Sequence, residues 1–371
     1  MRVALLVLAL LLALALSSAR RDVTPPELYW EMGERVPAAK PFELFVSASE
    51  PVTYLVSYGE LELERVSQDL TVSLLALAGR NDVTVLAVDA AGNEVSLQRT
   101  VLGVPVVMPT LHAVAEVGAG DPVTVVARWS SEAAVTDASL QLIGAPGAVL
   151  PGEDSLRLIA AIPLGNPDAL WPLEAQLVDE FGRLSSAHGQ LRIVAGRHDV
   201  EELNVAATTL SVITPAGRDL EREAFELAYA DWLTEPQWSE PFLLPIEGRS
   251  TSGFGLPRRY APGGPVSYHL GSDIGAPTGT PILATNDGVV RIADFFPIKG
   301  GLTIIDHGAG VSSLYFHQSR ILIEPGTKVT RGQPIGEVGS TGLSTGPHLH
   351  WEMRVAEVPT NPMAWVDRTW P

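Results

Sequence analysis

Two histidines lie two positions apart in His348-Leu349-His350, near the C-terminus. In a β-strand, residues i and i+2 project from the same face, and the residue between them points to the other face. Both imidazoles can then reach one site while Leu349 faces the core, whereas a helix would set them on different faces. A His-x-His pair can also be structural, so this triplet predicts a functional site only in combination with other residues.

A third imidazole and a carboxylate occur together in His269-Leu270-Gly271-Ser272-Asp273. Zinc binds His nitrogen and Asp or Glu oxygen, and a catalytic zinc keeps three protein ligands and leaves its fourth position to water. Two histidines and one carboxylate meet that need. The chain has no cysteine, so neither a thiolate site nor a disulfide is available. A lone His-x3-Asp pair would more often be a surface ion pair or a turn, so the coincidence of the two motifs carries the prediction.

His317 lies in Leu314-Tyr315-Phe316-His317. Strand alternation predicts that Tyr315 and His317 share one face and that Leu314 and Phe316 share the other. His317 is then either a site residue or a satisfied core histidine. The remaining histidines are expected to be structural or at the surface, with His307 in a turn between strands; they are His112, His188, His198 and His307.

Short apolar runs separated by glycines predict that residues 236–371 form a compact β domain that positions these side chains. The expected strands are 281–284, 289–293, 302–306, 312–317, 334–338 and 348–355. Trp238, Phe242 and Leu243 precede these strands and are expected to dock on the domain as a strap.

The N-terminal part is predicted to contain two tandem β-sandwich modules, residues 22–103 and 104–196, so the chain is mainly β. The clearest expected strands are 42–46, 52–56, 70–77, 83–88 and 94–101, then 123–129, 156–162, 173–178 and 190–194. Residues 88–96 match residues 178–186, and each segment has an Asp and a Gly where a hairpin must turn sharply. The match indicates a duplication, although a single larger sandwich, or hairpins that merely favour similar residues, would also explain it.

Residues 197–235 are predicted to form a helical linker, with Asp219 as the N-cap. Its apolar face is expected to consist of Leu220, Ala224, Leu227 and Ala228. The helix should end before Thr234-Glu235-Pro236, because proline disfavours helix in the preceding residue.

The net charge of −18 lies in the N-terminal part, since residues 247–371 hold as many basic as acidic side chains. An acidic surface repels polyphosphate, which argues against nucleic-acid binding. Arg2, the apolar run 3–16 and Ser17-Ser18-Ala19 predict an export signal over residues 1–19. An uncleaved membrane anchor is the alternative, although 14 apolar residues are short for a span. The expected location is the periplasm, the cell envelope or the extracellular space.

The C-terminal region closely resembles the lysostaphin/LytM-type zinc metallopeptidases, peptidoglycan endopeptidases with a duplicated hybrid motif fold. The resemblance covers roughly residues 236–371 and rests on Ser252-Gly253-Phe254-Gly255, on the segments 268–277, 315–319 and 329–333, and on 339–352, which contains His348-Leu349-His350. More weakly, Thr24-Pro25-Pro26 and residues 88–93 resemble immunoglobulin-like modules of bacterial surface proteins.

The peptidase resemblance implies zinc ligation by His269, Asp273 and His350, and a catalytic role for His317 and His348. Zinc lowers the pKa of its bound water to about 7; one of these two histidines would then help to deprotonate that water, and the other would stabilise the oxyanion or protonate the leaving amine. Tyr260 and Tyr268 are candidates for oxyanion support, although packing roles are the default. Phe316 and Gln318 depart from the smaller or apolar residues common beside His317, and they are expected to change only the groove shape.

The implied substrate is the peptide part of peptidoglycan, cleaved at a stem-peptide crosslink or an interpeptide bridge. One alternative is a catalytically silent relative that binds the cell wall or activates an amidase with the same groove. Another is that the N-terminal modules carry the main function by binding an envelope protein partner. Self-inhibition by the long linker is a further hypothesis. The sequence leaves the oligomeric state open.

Overall fold

The computed structural model describes residues 22–196, 199–203, 207–260 and 263–366, together with Arg368 and Trp370. The predicted export signal, residues 1–19, and His198 lie outside the described residues. Strands predominate, and the chain divides into a smaller unit of residues 22–107, 131–136 and 178–183 and a larger unit that contains the rest. Within the described ranges, no helix has the length and apolar character needed to cross a membrane.

The smaller unit is built on one six-stranded sheet with its own apolar core. Its strands are β1 (Leu28–Glu31), β2 (Arg35–Pro37), β3 (Pro41–Tyr58), β4 (Leu61–Leu75), β5 (Gly79–Val88) and β6 (Glu94–Val104). The sheet order is β1-β3-β5-β6-β2, and β4 pairs with β3. The two strands predicted at 42–46 and 52–56 are wrong as separate elements, because β3 is continuous. The strand predicted at 70–77 is the end of β4, whose first half is mostly exposed and therefore lacks an apolar signal.

Residues 110–194 form a two-sheet sandwich, which we call the second sandwich. Its strands are β7 (Thr110–His112), β8 (Glu116–Gly118), β9 (Pro122–Arg128), β10 (Val135–Leu142), β11 (Gly147–Gly152), β12 (Ser155–Ala161), β13 (Ala169–Asp179) and β14 (Leu184–Val194). The sheets have the orders β10-β13-β14-β8 and β11-β12-β9-β7. All four strands predicted here are present, and His112 and His188 are exposed as expected. The immunoglobulin-like assignment of both modules stays a prediction.

The two hairpin turns matched in the sequence are built in the same way. Asp89 Oδ1 accepts hydrogen bonds from the backbone N–H groups of residues 91 and 93, both at 2.8 Å. Asp179 Oδ1 does the same for residues 181 and 183, both at 3.0 Å. Gly92 and Gly182 have φ of 87° and 71°, the left-handed region that glycine adopts without strain. The predicted role of Asp and Gly in these turns is confirmed.

Strand β12 of the second sandwich is buried on both faces. Leu158 faces the core of the sandwich, whereas Ile159 and Ala161 point the other way and belong to the core of the C-terminal domain. The Asn361 N–H also donates a 2.7 Å hydrogen bond to Gly120 O of the sandwich. The second sandwich therefore shares a hydrophobic core with the C-terminal domain.

The Ile159→Ala variant should destabilise the larger unit by about 2–5 kcal/mol, because it leaves a cavity in a fully buried site. Val149→Ala on neighbouring β11, whose side chain is 42% exposed, is the matched control and should cost far less. Denaturant unfolding followed by tryptophan fluorescence measures both. Equal stabilities of the two variants would contradict the shared core.

The linker contains β15 (Glu201–Glu202), α1 (Ala207–Leu210) and α2 (Pro215–Ala228). The predicted N-cap at Asp219 is wrong. Thr214 caps α2, and its Oγ1 accepts a 3.0 Å hydrogen bond from the Gly217 N–H. Pro215 follows at the first helical position, where its missing N–H and fixed φ suit a helix start. Asp219 lies inside the first turns instead.

The predicted apolar face of α2 is only partly right. Leu220 and Leu227 are 50% and 78% exposed, whereas Ala228 packs on the core of the C-terminal domain, with Ala224 beside it. The buried face also includes Glu221, which was not among the residues predicted for that face. Its carboxylate is satisfied by backbone N–H groups of another element, a contact that helix periodicity does not reveal.

The C-terminal domain is an antiparallel β structure. Its strands are β16 (Arg249–Ser252), β17 (Pro257–Arg259), β18 (Val266–Tyr268), β19 (Ser272–Gly275), β20 (Pro281–Leu283), β21 (Gly288–Phe296), β22 (Gly300–Gly308), β23 (Val311–Gln318), β24 (Arg320–Ile321), β25 (Lys328–Val329), β26 (Pro334–Glu337), β27 (His348–Val355) and β28 (Val358–Thr360), followed by a 3-10 turn (Pro362–Ala364). The main sheet has the order β16-β19-β27-β23-β22-β21-β25, with β28 on β27. All six predicted strands are present. Trp238 and Phe242 are buried in the core, which confirms the docked strap.

His307 was expected in a turn, and this prediction is wrong. It lies inside β22 and is fully buried, with Nδ1 2.7 Å from Asp287 O and Nε2 2.7 Å from Ser313 Oγ. Burial lowers the pKa of His307 to about 4, so its ring is neutral at physiological pH. The structural role expected for this histidine is confirmed.

Candidate metal centre and active site

His269, Asp273 and His350 bring three ligand atoms together within 4.8 Å of one another. Asp273 lies directly opposite His350 in the pairing of β19 with β27. Asp273 Oδ1 is 2.8 Å from His350 Nδ1 and 3.1 Å from His269 Nε2, and the two nitrogens are 3.0 Å apart. The ring of His350 passes close to Gly271, where an added Cβ would lie 2.7 Å from His350 Nε2. The two motifs predicted to form one site are therefore adjacent.

The second nitrogen of each ligand histidine is held by a hydrogen-bond acceptor. His269 Nδ1–H donates to Gly253 O at 2.7 Å, and His350 Nε2–H donates to Glu352 Oε1 at 3.1 Å. These partners fix the tautomers, so the lone pairs of His269 Nε2 and His350 Nδ1 point at each other and at a carboxylate oxygen. Three such atoms at 2.8–3.1 Å from one another could form the donor set of a divalent cation, and a His2Asp set fits zinc.

A buried ion pair between Glu352 and Arg354 contacts the Nε2 side of the His350 ring. Glu352 Oε2 accepts hydrogen bonds from Arg354 Nε and Nη2 at 2.8 and 2.5 Å, and Glu352 is 1% exposed. Burial alone would raise the pKa of Glu352, but the Arg354 guanidinium and the His350 ring hold it well below its usual range. The glutamate is therefore ionised and strengthens His350 as a ligand.

Glu352→Gln should weaken zinc affinity about 10–100-fold, because such supporting partners typically contribute that factor. Competition with a chromophoric chelator measures the affinity. Glu324→Gln, at an exposed carboxylate of the same domain, is the control and should bind zinc like the wild type. Unchanged affinity in Glu352→Gln would mean that Glu352 serves only to neutralise Arg354.

His317 and His348 lie beside the ligands, with their ring centroids 4.8 Å apart. His317 Nδ1–H donates to Thr341 O at 2.8 Å, and His348 Nδ1–H donates to Gly346 O at 2.8 Å. Each ring therefore presents Nε2 as the free nitrogen. His348 Nε2 is 3.8 Å from Asp273 Oδ1.

The prediction that His317 shares a face with Tyr315 is wrong. Tyr315 is buried in the main core of the domain, while His317 lies on the side of Phe316, whose ring stacks on that of His350 at 4.8 Å. The reason is local: His317 has a φ of 62°, which breaks the strand alternation. Non-glycine residues rarely adopt this conformation, and such strain is concentrated at functional sites.

The charges of the site favour neutral His317 and ionised Asp273. Burial, reinforced by the neighbouring His350 and His348, lowers the pKa of His317 to about 3. Burial opposes ionisation of Asp273, but the adjacent His269 and His350 rings hold its pKa far below the usual value. At neutral pH the His317 ring is therefore neutral, and its Nε2 carries no proton.

These residues line an open groove of about 520 Å³. Tyr260 and Tyr268 both border it, as the oxyanion-support hypothesis requires. Phe316 also lines the groove, which agrees with its predicted effect on groove shape. Gln318 does not line it and is fully buried, with Nε2 donating to Thr303 Oγ1 at 2.9 Å.

Two groove residues were missed in the sequence. Arg258 Nη2 lies 3.3 Å from Asp273 Oδ2, the second oxygen of the ligand carboxylate, and it also donates to Ser252 Oγ. Lys299 lies with its ammonium 4.7 Å from the ring centroid of Phe316. Arg258 lies in the three-residue strand β17, and Lys299 lies in a turn, so neither had a recognisable motif.

The linker reaches the edge of the groove. Strand β15 pairs in parallel with β17, and Glu201 lies 3.4 Å from Arg258. Leu203 and Thr209 are among the residues that line the groove. Whether the linker slows the enzyme, as the self-inhibition hypothesis holds, stays a prediction.

Comparison with known proteins supports the same region. The family model for peptidase family M23 matches residues 267–362. Peptidoglycan DD-endopeptidase ShyA of Vibrio cholerae is 45% identical over 98 residues, 26% of this chain and 23% of the relative. DD-carboxypeptidase/endopeptidase Mpg of Neisseria meningitidis is 45% identical over 96 residues, 26% of this chain and 22% of the relative. The matched part thus spans about a quarter of these relatives' length.

Among solved structures, the catalytic domain of the prophage-encoded M23 protein EnpA from Enterococcus faecalis is 36% identical, with a TM-score of 0.27. The similarity covers 34% of this chain and 94% of that domain. The matched residues include His269, Asp273, His317, His348 and His350, which meet at the groove described above. The match of the family model assigns residues 267–362 of this chain to a domain of peptidase family M23.

Proposed function

We propose that this chain is an exported zinc metalloendopeptidase that hydrolyses peptide bonds in peptidoglycan. The observation that carries the proposal is the convergence of His269, Asp273 and His350 in an open groove beside His317 and His348. A silent wall-binding relative would need none of these five side chains in this arrangement. The relatives named as peptidoglycan DD-endopeptidases support the substrate class.

His269 Nε2, Asp273 Oδ1 and His350 Nδ1 would hold the zinc ion. When bound there, zinc supplies Lewis acidity, which polarises a carbonyl and makes water a nucleophile at neutral pH. The chain contributes the geometry: Gly253 O and Glu352 fix the two ligand rings, and Arg258 holds the free oxygen of Asp273.

His317 and His348 move the protons. Each ring donates from Nδ1 to a backbone carbonyl, so each handles a proton at Nε2. One of the two accepts a proton from the attacking water, and the other protonates the leaving amine or stabilises the oxyanion. Both rings line the groove, where the peptide would lie.

The bond that we propose is the crosslink between two stem peptides, because the relatives are named DD-endopeptidases. An interpeptide bridge is the other bond that the groove could accept. Export is proposed from the charged, apolar and small residues at the N-terminus. We also propose that the N-terminal modules bind an envelope protein.

The test is digestion of purified, crosslinked muropeptide dimers by the zinc-loaded full chain, followed by mass spectrometry. The expected result is conversion to monomers that stops when a chelator removes the metal. A substrate containing only an interpeptide bridge shows which bond is cut. Tight binding without any cleavage of either substrate would favour the silent wall-binding alternative and overturn the proposal.

A further inference from the structure

Helix α2 lies outside residues 267–362, yet one of its side chains reaches the turn that joins β21 to β22. Glu221 is only 6% exposed, and its Oε1 accepts hydrogen bonds from the backbone N–H groups of Ile298 at 2.7 Å and Lys299 at 2.8 Å. Gly217, one helical turn earlier, faces Pro297 of the same turn, with 3.3 Å from its ideal Cβ position to Pro297 Cβ. The helix therefore holds this turn at two successive positions of one face.

The turn held by Glu221 makes backbone contacts with both catalytic segments. Lys299 O accepts a 3.0 Å hydrogen bond from the His317 N–H, and Ile298 O accepts one of 2.8 Å from Leu343 N–H. Leu343 belongs to the loop that precedes His348 and lines the groove. Glu221 thus binds the N–H groups of Ile298 and Lys299. The carbonyl groups of the same two residues accept hydrogen bonds from the catalytic segments.

The 297–300 turn packs tightly against the loop that contains Thr341 and Gly342, so neither segment can shift freely. Gly300 has a φ of 67°, and a Cβ there would lie 2.3 Å from Thr341 Oγ1. Gly342 has a φ of 71°, and a Cβ there would lie 2.5 Å from Ile298 O. Thr341 in turn accepts the hydrogen bond from His317 Nδ1. A shift of the turn would therefore move Thr341 and the ring that it orients.

His317 depends on this support more than an ordinary strand residue, because its φ of 62° is intrinsically unfavourable. Two contacts fix it, the backbone bond to Lys299 O and the ring bond to Thr341 O. We propose that Glu221 is a positioning residue of the active site, which holds the 297–300 turn so that His317 keeps its strained backbone and its ring orientation. The proposal rests on the proposed function for its activity readout.

The test compares Glu221→Ala, Glu221→Asp and Glu221→Gln in the full zinc-loaded chain. Glutamine keeps an acceptor oxygen at the same reach and should retain wild-type kcat within about threefold, whereas alanine should lower kcat about 10–100-fold, the range expected for a displaced catalytic group. Aspartate keeps the charge but is one methylene shorter, so it should also lose activity. KM and zinc content should stay near wild type in all three.

Glu223→Ala, at an exposed position of the same helix, is the matched control and should behave like the wild type. Wild-type kcat in Glu221→Asp would overturn the proposal, and so would a loss in Glu221→Gln as large as that in Glu221→Asp. These two variants decide the matter even if Glu221→Ala does not fold.

Two readouts do not require peptidase activity. Hydrogen exchange at the Ile298 and Lys299 amides should be faster in Glu221→Asp than in the wild type. The ring nitrogen shifts of His317 should show loss of the Nδ1–H hydrogen bond to Thr341. If the wild type does not cleave peptidoglycan, the proposed function fails, while unchanged exchange and ring shifts in Glu221→Asp would separately refute positioning.

Discussion

The His350→Ala variant is expected to lose both its zinc and its peptidase activity. Its Nδ1 is one of the three proposed ligand atoms, and its ring lies between Asp273 and Glu352. With this nitrogen removed, His269 and Asp273 leave a two-ligand site, which is too few for a catalytic zinc. The substitution also removes the ring N–H group that donates to the Glu352 carboxylate, and alanine offers no side-chain donor in its place.

Metal analysis of purified protein, together with muropeptide digestion, measures this result. The control is His112→Ala, because His112 is exposed on the second sandwich and should leave zinc content and activity unchanged. Stoichiometric zinc in His350→Ala would show that other side chains hold the metal and would overturn the ligand assignment.

The His317→Ala variant should keep its zinc but lose about 10²–10⁴-fold in kcat, the range for loss of a general acid or base. His317 contributes none of the three candidate ligand atoms that lie close together. Its ring lines the groove, and its Nε2 is left free because Nδ1–H donates to Thr341 O. Metal retention with lost turnover would separate the catalytic role from ligation.

His317→Asn provides a second variant for the same prediction. Asparagine tolerates positive φ better than alanine, so it preserves the backbone at this position while removing the imidazole. The two variants should lose similar activity. Near-wild-type kcat in His317→Asn would assign His317 a backbone role only, and loss of zinc from both variants would make it a ligand.

Much of the site was predictable because its signals are local. The His348-Leu349-His350 spacing favoured a strand, and β27 is that strand, with Leu349 in the core. The pairing of β19 with β27 then sets Asp273 against His350, as the resemblance implied. The strand pattern of the domain was also visible, because glycines separate nearly every apolar run.

The sequence did not reveal features that depend on contacts between distant elements. The positive φ of His317 is stabilised by Lys299 and Thr341, which alternation along β23 cannot reveal. Glu221 was not predicted to be buried, because its partners in the 298–299 turn lie 77 and 78 positions away in the sequence. Likewise, β12 reads as an ordinary sandwich strand, although Ile159 is buried in the core of another domain.

His269, Asp273 and His350 are proposed to hold a catalytic zinc ion beside His317 and His348. Anomalous diffraction at the zinc edge from crystals of the zinc-loaded full chain tests it most directly. We expect one strong peak bonded to His269 Nε2, Asp273 Oδ1 and His350 Nδ1 at about 2.0–2.2 Å, with the Nε2 atoms of His317 and His348 facing it but not bonded. A peak elsewhere, or one bonded to His317 or His348 in place of these ligands, would contradict the account.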